Sequence, residues 1–152
     1  MSQVVSADLE TRIGYAAKRL QQAVRAAAER RLAPLGLTMP QYAVLSALGR
    51  SPGLSNSELA RRCFVTRQSM NDVLAGLLRV GLVTRVPHPR DGRVQRTQLT
   101  VAAQDVMARG DQALAEVEEQ MAVGLTESQR RRLLELMWTC TTNLEPPDGR
   151  SA

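Results

Sequence analysis

The sequence predicts a mainly α fold carrying one small β-hairpin, and three observations lead there. Residues 84–100, TRVPHPRDGRVQRTQLT, set two strand-like runs on either side of a turn holding Arg90, Asp91, Gly92 and Arg93. Directly before them, residues 66–81, TRQSMNDVLAGLLRVG, read as a short amphipathic helix that opens on polar side chains and closes on glycine. Helix-start signatures recur at Thr38 with Gln41, Ser55 with Glu58 and Thr126 with Gln129. In each, a cap hydroxyl and the side chain three residues on can satisfy each other's backbone donors.

The elements follow in order. Asp8 is placed to cap a long helix over residues 8–33, in which Leu9, Ile13, Ala16, Leu20, Ala23 and Ala27 recur at spacings of three and four until Pro34 and Gly36 end it. The next helix opens at Thr38, tolerates Pro40 in its first turn, and has Tyr42, Leu45 and Leu48 as its buried stripe. Ser51, Pro52 and Gly53 break it. A short helix from Ser55 keeps Leu59, Ala60 and Cys63 on one face, and Thr66 caps its successor, whose buried side is Met70, Val73, Leu74 and Leu77. The two short helices start about a dozen residues apart, the spacing of a helix-turn-helix. Gly81 suits a left-handed helix end. Residues 82–86 read as an outgoing strand, Pro87 and Pro89 restrict the turn, and residues 94–99 alternate as the return strand. Thr100 is placed to cap a long helix with Val106, Leu114, Val117 and Met121 among its apolar positions and Gly110 as a weak spot. Gly124 and Leu125 break that helix. The last one starts at Thr126, carries Leu133, Leu136 or Met137, Cys140 and Leu144 on one stripe, and stops at Pro146 and Pro147; residues 146–152 are expected to be a disordered tail. The whole is a winged helix-turn-helix core over about residues 37–100, within a single unit of residues 1–145. Flanking helices at about 8–33 and 101–145 have apolar faces that so small a core cannot cover, and pairing of two copies is the expected cover.

Charge points to the partner. The chain carries +5, yet residues 61–96 hold eight arginines against Asp72 and Asp91, a net +6, so the remainder sums to −1. A compact basic segment in a nearly neutral protein is a polyanion footprint, since each neutralised phosphate releases counterions. Double-stranded DNA is the expected partner: Thr66, Arg67, Gln68, Ser69 and Asn71 open the recognition helix toward base edges in the major groove, and Arg90 and Arg93 enter the minor groove while Asp91 holds one of them by an ion pair. Asp72 stands on the same helix, where it repels phosphate and can meet a base only by accepting from a cytosine amino group. The alternative is a winged-helix protein-interaction module without DNA readout, which has no reason to concentrate arginine at its tip.

Other classes are excluded by what the chain lacks. There is no phosphate-binding glycine loop, no nucleophile arrangement that the lone His88 could serve, and no paired carboxylates in an apolar setting, so no enzyme activity and no cofactor are expected. Cys63, Cys140 and one histidine do not make a zinc set, and buried, reduced thiols are the default. No signal-like run or membrane-spanning stretch occurs, so a cytoplasmic protein with no membrane partner is expected.

Several segments together resemble the MarR family of bacterial transcription regulators over nearly the whole chain: LTMPQYAVLSAL at residues 37–48, SELA at 57–60, LLRVGLV at 77–83, and the Asp91-Gly92-Arg93 wing followed by Leu99-Thr100. Ala103 stands where the family often has glycine, and Asp72 where it often has a neutral or basic residue. The resemblance implies a homodimer built by the terminal helices, a palindromic site read by two winged lobes, and release when a small, often aromatic or anionic effector binds or a cysteine is oxidised. The family's ligand cleft, between dimer helices and winged lobe, would here be lined by Tyr15, Arg19, Met39 and Tyr42. A tyrosine would stack on an aromatic anion and an arginine pair with it. The cysteine of the peroxide-sensing branch, near the start of the first helix, is absent.

Overall fold

The computed structural model describes residues 8–145; the expected tail at 146–152 lies outside them. Along the chain run α1 (Ile13–Leu32), a 3-10 turn (Ala33–Leu35), α2 (Met39–Arg50), α3 (Asn56–Arg62), α4 (Arg67–Arg79), β1 (Val83–Pro87), β2 (Gln95–Leu99), α5 (Val101–Met121) and α6 (Glu127–Leu144). They fall into two compact units, one ending at Val117 and one beginning at Glu118. No helix of the described residues is long and apolar enough to cross a membrane.

The helix starts obey the local rules. Thr38, Ser55 and Thr126 each form a complete capping box with Gln41, Glu58 and Gln129. Glu58's carboxyl is held below its usual range by the Ser55 hydrogen bonds. Thr66 caps α4, its Oγ1 accepting from the Ser69 N–H at 3.1 Å. Helix ends are as specific. At the end of α4, Gly81 lies at φ +73, its N–H bonded to the Leu78 carbonyl at 3.1 Å and the Leu82 N–H to that of Leu77 at 3.0 Å, a Schellman closure. Because Leu82 is spent on that closure, β1 begins at Val83, one residue later than the pattern suggests.

Two expected caps are absent. Asp8 does not open α1, which starts at Ile13 from an extended, uncapped Arg12. Asp8 lies in a helical stretch of its own at residues 8–10, where its carbonyl accepts from the Thr11 hydroxyl at 2.8 Å and its carboxylate pairs with Arg12 at 3.2 Å. Thr100 turns its hydroxyl away from α5, donating to the Gly81 carbonyl at 2.6 Å, while the Ala103 N–H reaches the Thr100 carbonyl at 3.1 Å.

The first unit is built on Leu32, Val44, Leu45, Leu48, Leu59, Met70, Leu74, Leu77 and Ala103, all essentially without solvent contact. β1 and β2 pair antiparallel from Val83 opposite Leu99 to Pro87 opposite Gln95. Pro87, expected in the turn, is the last paired residue of β1. The hairpin is fastened to the body by Thr97, 2% exposed, whose N–H reaches the Leu54 carbonyl at 3.2 Å. Gly110 is buried on α5 against the ring of Tyr42, whose hydroxyl donates to Asp111 Oδ1 at 2.6 Å. In the second unit, α6 leaves Leu133, Leu134, Leu136, Met137 and Trp138 exposed in the single chain, and Cys140, expected buried, is exposed as well.

Candidate nucleic-acid interface and adjoining cavity

Met70, Leu74 and Leu77 at spacings of four and three turn one side of α4 into the core, which leaves Arg67, Gln68, Ser69, Asn71 and Asp72 exposed. Thr66 Oγ1 also donates to Ser69 Oγ at 3.0 Å, so these two hydroxyls are ordered as a pair at the helix start. Asn71 is committed to structure: its Oδ1 accepts from Asn56 Nδ2 at 2.9 Å, tying α3 to α4 and leaving its amide hydrogens to offer. First-turn backbone donors and the helix dipole favour phosphate at this end.

At the tip of the wing, Arg90, Asp91 and Arg93 are all exposed. The ion pair expected of Asp91 is not formed. Its Oδ1 accepts the Arg93 backbone N–H at 3.1 Å and its carbonyl the Val94 N–H at 3.0 Å, an aspartate stabilising its own turn. An exposed ion pair gains little by comparison. His88 belongs to the same turn, its Nδ1 accepting from the Arg90 N–H at 3.0 Å. Both guanidinium groups are therefore uncommitted. Acidic partners are lacking across the basic segment: among the described residues, none of the eight arginines of residues 61–96 enters an ion pair, although Arg62 is hydrogen-bonded to Ser51, whereas Arg12, Arg25, Arg31, Arg109, Arg130 and Arg132 each have an acidic partner.

Behind the helix-turn-helix lies a cavity of about 600 Å³, lined by Met39, Tyr42, Ala43, Ser46, Ala47 and Arg50 on one face of α2 and by Arg62, Cys63 and Phe64 at the end of α3. Met39 and Tyr42 are among its lining residues. Tyr15 and Arg19 are not among its lining residues in the single chain; they pair with each other along α1 through a long 3.4 Å hydrogen bond. Burial, reinforced by Asp111, pushes the Tyr42 phenol up to about 12. Burial also pushes the half-buried Cys63 thiol up, away from the lowered value a reactive cysteine needs. Sequence reasoning missed Arg50, Arg62 and Phe64 here, although Tyr42, Ser46 and Arg50 at successive spacings of four do mark one face of α2. Among the described residues, no group of three or more His, Cys, Asp or Glu could hold a metal ion.

A polar-faced second helix, a fastened hairpin with free arginines at its tip, and long helices outside them define the winged helix-turn-helix class of regulators. Residues 35–94 match the MarR family model. Over 125 residues, covering 82% of this chain and 90% of the relative, the chain is 34% identical to the HTH-type transcriptional repressor Rv2887 of Mycobacterium tuberculosis. Among solved structures it is similar to the transcriptional repressor CouR bound to a 23-mer DNA duplex, with a TM-score of 0.80 and 30% identity over 88% of this chain and 95% of that one. It is similar also to the PcaV regulator of Streptomyces coelicolor in complex with its natural ligand, with a TM-score of 0.76 and 30% identity over 90% and 96% of the two chains. Rv2887 in complex with salicylic acid gives a TM-score of 0.71 and 32% identity over 86% and 96%. The chain belongs to the MarR family of transcription regulators. Ala103, a departure from the family pattern, is fully buried against the core, where its methyl group is packing.

Proposed function

We propose that this protein is a cytoplasmic, homodimeric repressor that binds a pseudo-palindromic duplex and leaves it when a small aromatic anion occupies the cavity. Thr66, Arg67, Gln68, Ser69 and Asn71 read the major groove, and Arg90 and Arg93 reach into the minor groove, with Asp91 shaping the turn that presents them. The observation that carries this is the unpaired arginine cluster: eight cations on one segment without acidic partners are an incomplete electrostatic arrangement that a phosphate backbone completes. Solved relatives bound to DNA and to salicylic acid support the same assignment. The apolar face left open on α6 supports the dimer, and with it residues 1–145 acting as one functional unit. In this reading the protein performs no chemical step.

The test is selection of duplexes from a random pool with the full-length protein, followed by titration of the enriched sequence. A palindromic motif bound at least about a thousandfold more tightly than bulk DNA is the expected result. Enrichment of nothing above bulk DNA overturns the repressor reading and favours the interaction module.

A further inference from the structure

The cavity beside the helix-turn-helix has two unlike ends. Met39, Ala43, Ala47 and the rings of Tyr42 and Phe64 give it an apolar body, and Arg50 and Arg62 give it a cationic one. Both arginines are held in place by neutral oxygens. Arg50 folds back along α2, its Nη2 on Ser46 Oγ at 2.8 Å and its Nε on the Ser46 carbonyl at 3.3 Å; Arg62 Nη1 reaches Ser51 Oγ at 2.8 Å. Neither has a carboxylate partner among the described residues. Two guanidinium groups, each hydrogen-bonded to a serine and neither paired with a carboxylate, stand at the same cavity and can offer charge-assisted bonds to an anion there.

The position of that cationic end in the chain matters as much. Arg62 runs through Cys63, Phe64 and Val65 into Thr66, the cap of α4. This turn closes α3 as a Schellman motif, the Phe64 N–H on the Arg61 carbonyl at 3.3 Å and the Val65 N–H on that of Ala60 at 3.0 Å. Its left-handed position, where glycine is usual, is held by phenylalanine at φ +54 with 95% of its surface exposed. A bulky residue is thus kept in an unfavourable conformation between the cavity and the recognition helix.

We propose that Arg50 and Arg62 are the anion-binding end of the effector site, taking the carboxylate of a planar aromatic acid whose ring lies against Met39, Ala43 and Phe64. Occupancy then acts on the recognition helix through the turn of residues 63–65, in addition to any change in the spacing of two lobes. This deepens, and rests on, the effector reading of the cavity; it replaces Arg19 of α1 as the charge partner.

The test is calorimetric titration of the full chain with salicylate, its neutral amide and inorganic phosphate, comparing wild type with Arg50→Met, Arg62→Met and Arg19→Met. Salicylate is expected to bind the wild type about tenfold or more tightly than either other probe, and each of Arg50→Met and Arg62→Met to weaken it by a similar factor, with Arg50→Lys and Arg62→Lys recovering part of the loss. Thermal midpoints near that of wild type exclude misfolding as the cause. A larger loss in Arg19→Met than in either of the others moves the anion to α1 and overturns the assignment. So does equal binding of the neutral amide, phosphate binding as tight as salicylate, or no saturable salicylate binding up to the millimolar range. Hydrogen exchange reads the coupling: amides of residues 63–69 are expected to change protection with salicylate, and protection changed only elsewhere overturns the route through the turn. Salicylate binding through Arg50 and Arg62 in a protein that selects no duplex leaves this site standing and removes the repressor reading. Duplex selection with arginine-independent salicylate binding removes this site alone.

Discussion

Replacing Gly110 by alanine sets helix propensity against packing, and the geometry decides the sign. In the interior of α5 the substitution gains about 1 kcal/mol from propensity alone. The added methyl carbon, however, would lie 2.9 Å from Tyr42 Cδ2, 3.0 Å from its Cε2 and 3.7 Å from Leu32 Cδ2. A flat ring has no flexible end to withdraw, and this one is anchored by its 2.6 Å hydrogen bond to Asp111, the next residue along the same helix. Forcing a methyl into such a contact costs about 1 to 3 kcal/mol, and a ring that moves aside also weakens a hydrogen bond to a carboxylate worth about 1.5 kcal/mol or more. The expected net is a destabilisation of about 1 to 2 kcal/mol, or roughly 3 to 8 °C in thermal midpoint. Urea unfolding of Gly110→Ala, Tyr42→Ala and the double variant checks it. In the Tyr42→Ala background the obstacle is gone, so the same glycine replacement should stabilise by up to about 1 kcal/mol. A single Gly110→Ala variant more stable than wild type, or strict additivity in the double variant, refutes the reasoning.

Four other outcomes are expected. Arg93→Ala weakens specific duplex binding by about 1 to 3 kcal/mol without moving the thermal midpoint, because the residue is exposed and bonds only through its backbone; unchanged binding in the Arg90→Ala, Arg93→Ala double variant removes the minor-groove role. For the dimer on its site, titration of labelled duplex at several salt concentrations gives log K against log salt with a slope of roughly −5 to −10, and a slope near zero means the basic segment does not meet phosphates. Thr66→Ala loses the Ser69 cap and should destabilise by about 1 kcal/mol in urea, with Thr66→Ser recovering most of it. Tyr42 is held neutral with a pKa raised from 10.0 to about 12, so its contribution to stability is complete below pH 10 and is lost as pH rises toward 12; that alkaline fall is smaller in Tyr42→Phe.

What could be read from the chain divides along a physical line. Capping boxes, the left-handed Gly81 and the helix-turn-helix spacing are local, set by residues within a few positions of each other, and the structure reproduces them. The cap of Asp8, the ion pair of Asp91 and the cap of Thr100 do not form because a short polar side chain has several partners within reach, and the pattern does not say which one wins: an arginine four residues on, a backbone N–H two residues on, or a carbonyl nineteen positions away. Gly110 shows the other limit. As a letter in a helix it is a weak point, and only the tertiary position of Tyr42 reveals that no larger residue fits. Arg50 and Arg62 escaped notice as cavity residues for a similar reason, since arginine on a helix is ordinarily a solvated side chain and its serine anchors are visible only in three dimensions.

The bond from Thr100 to the Gly81 carbonyl has a consequence for recognition. Gly81 closes α4, and Thr100 follows the return strand of the wing, so this bond, with that from the Thr100 N–H to the Leu82 carbonyl at 3.1 Å, ties the end of the helix to the foot of the hairpin. In the proposed DNA-bound arrangement, α4 in the major groove and the hairpin in the minor groove beside it therefore meet the duplex as one piece. Contacts in the two grooves are then gained or lost as a pair. A duplex whose groove widths do not suit that arrangement would be penalised in both at once, a route to discriminating sequences by duplex shape at base pairs never touched.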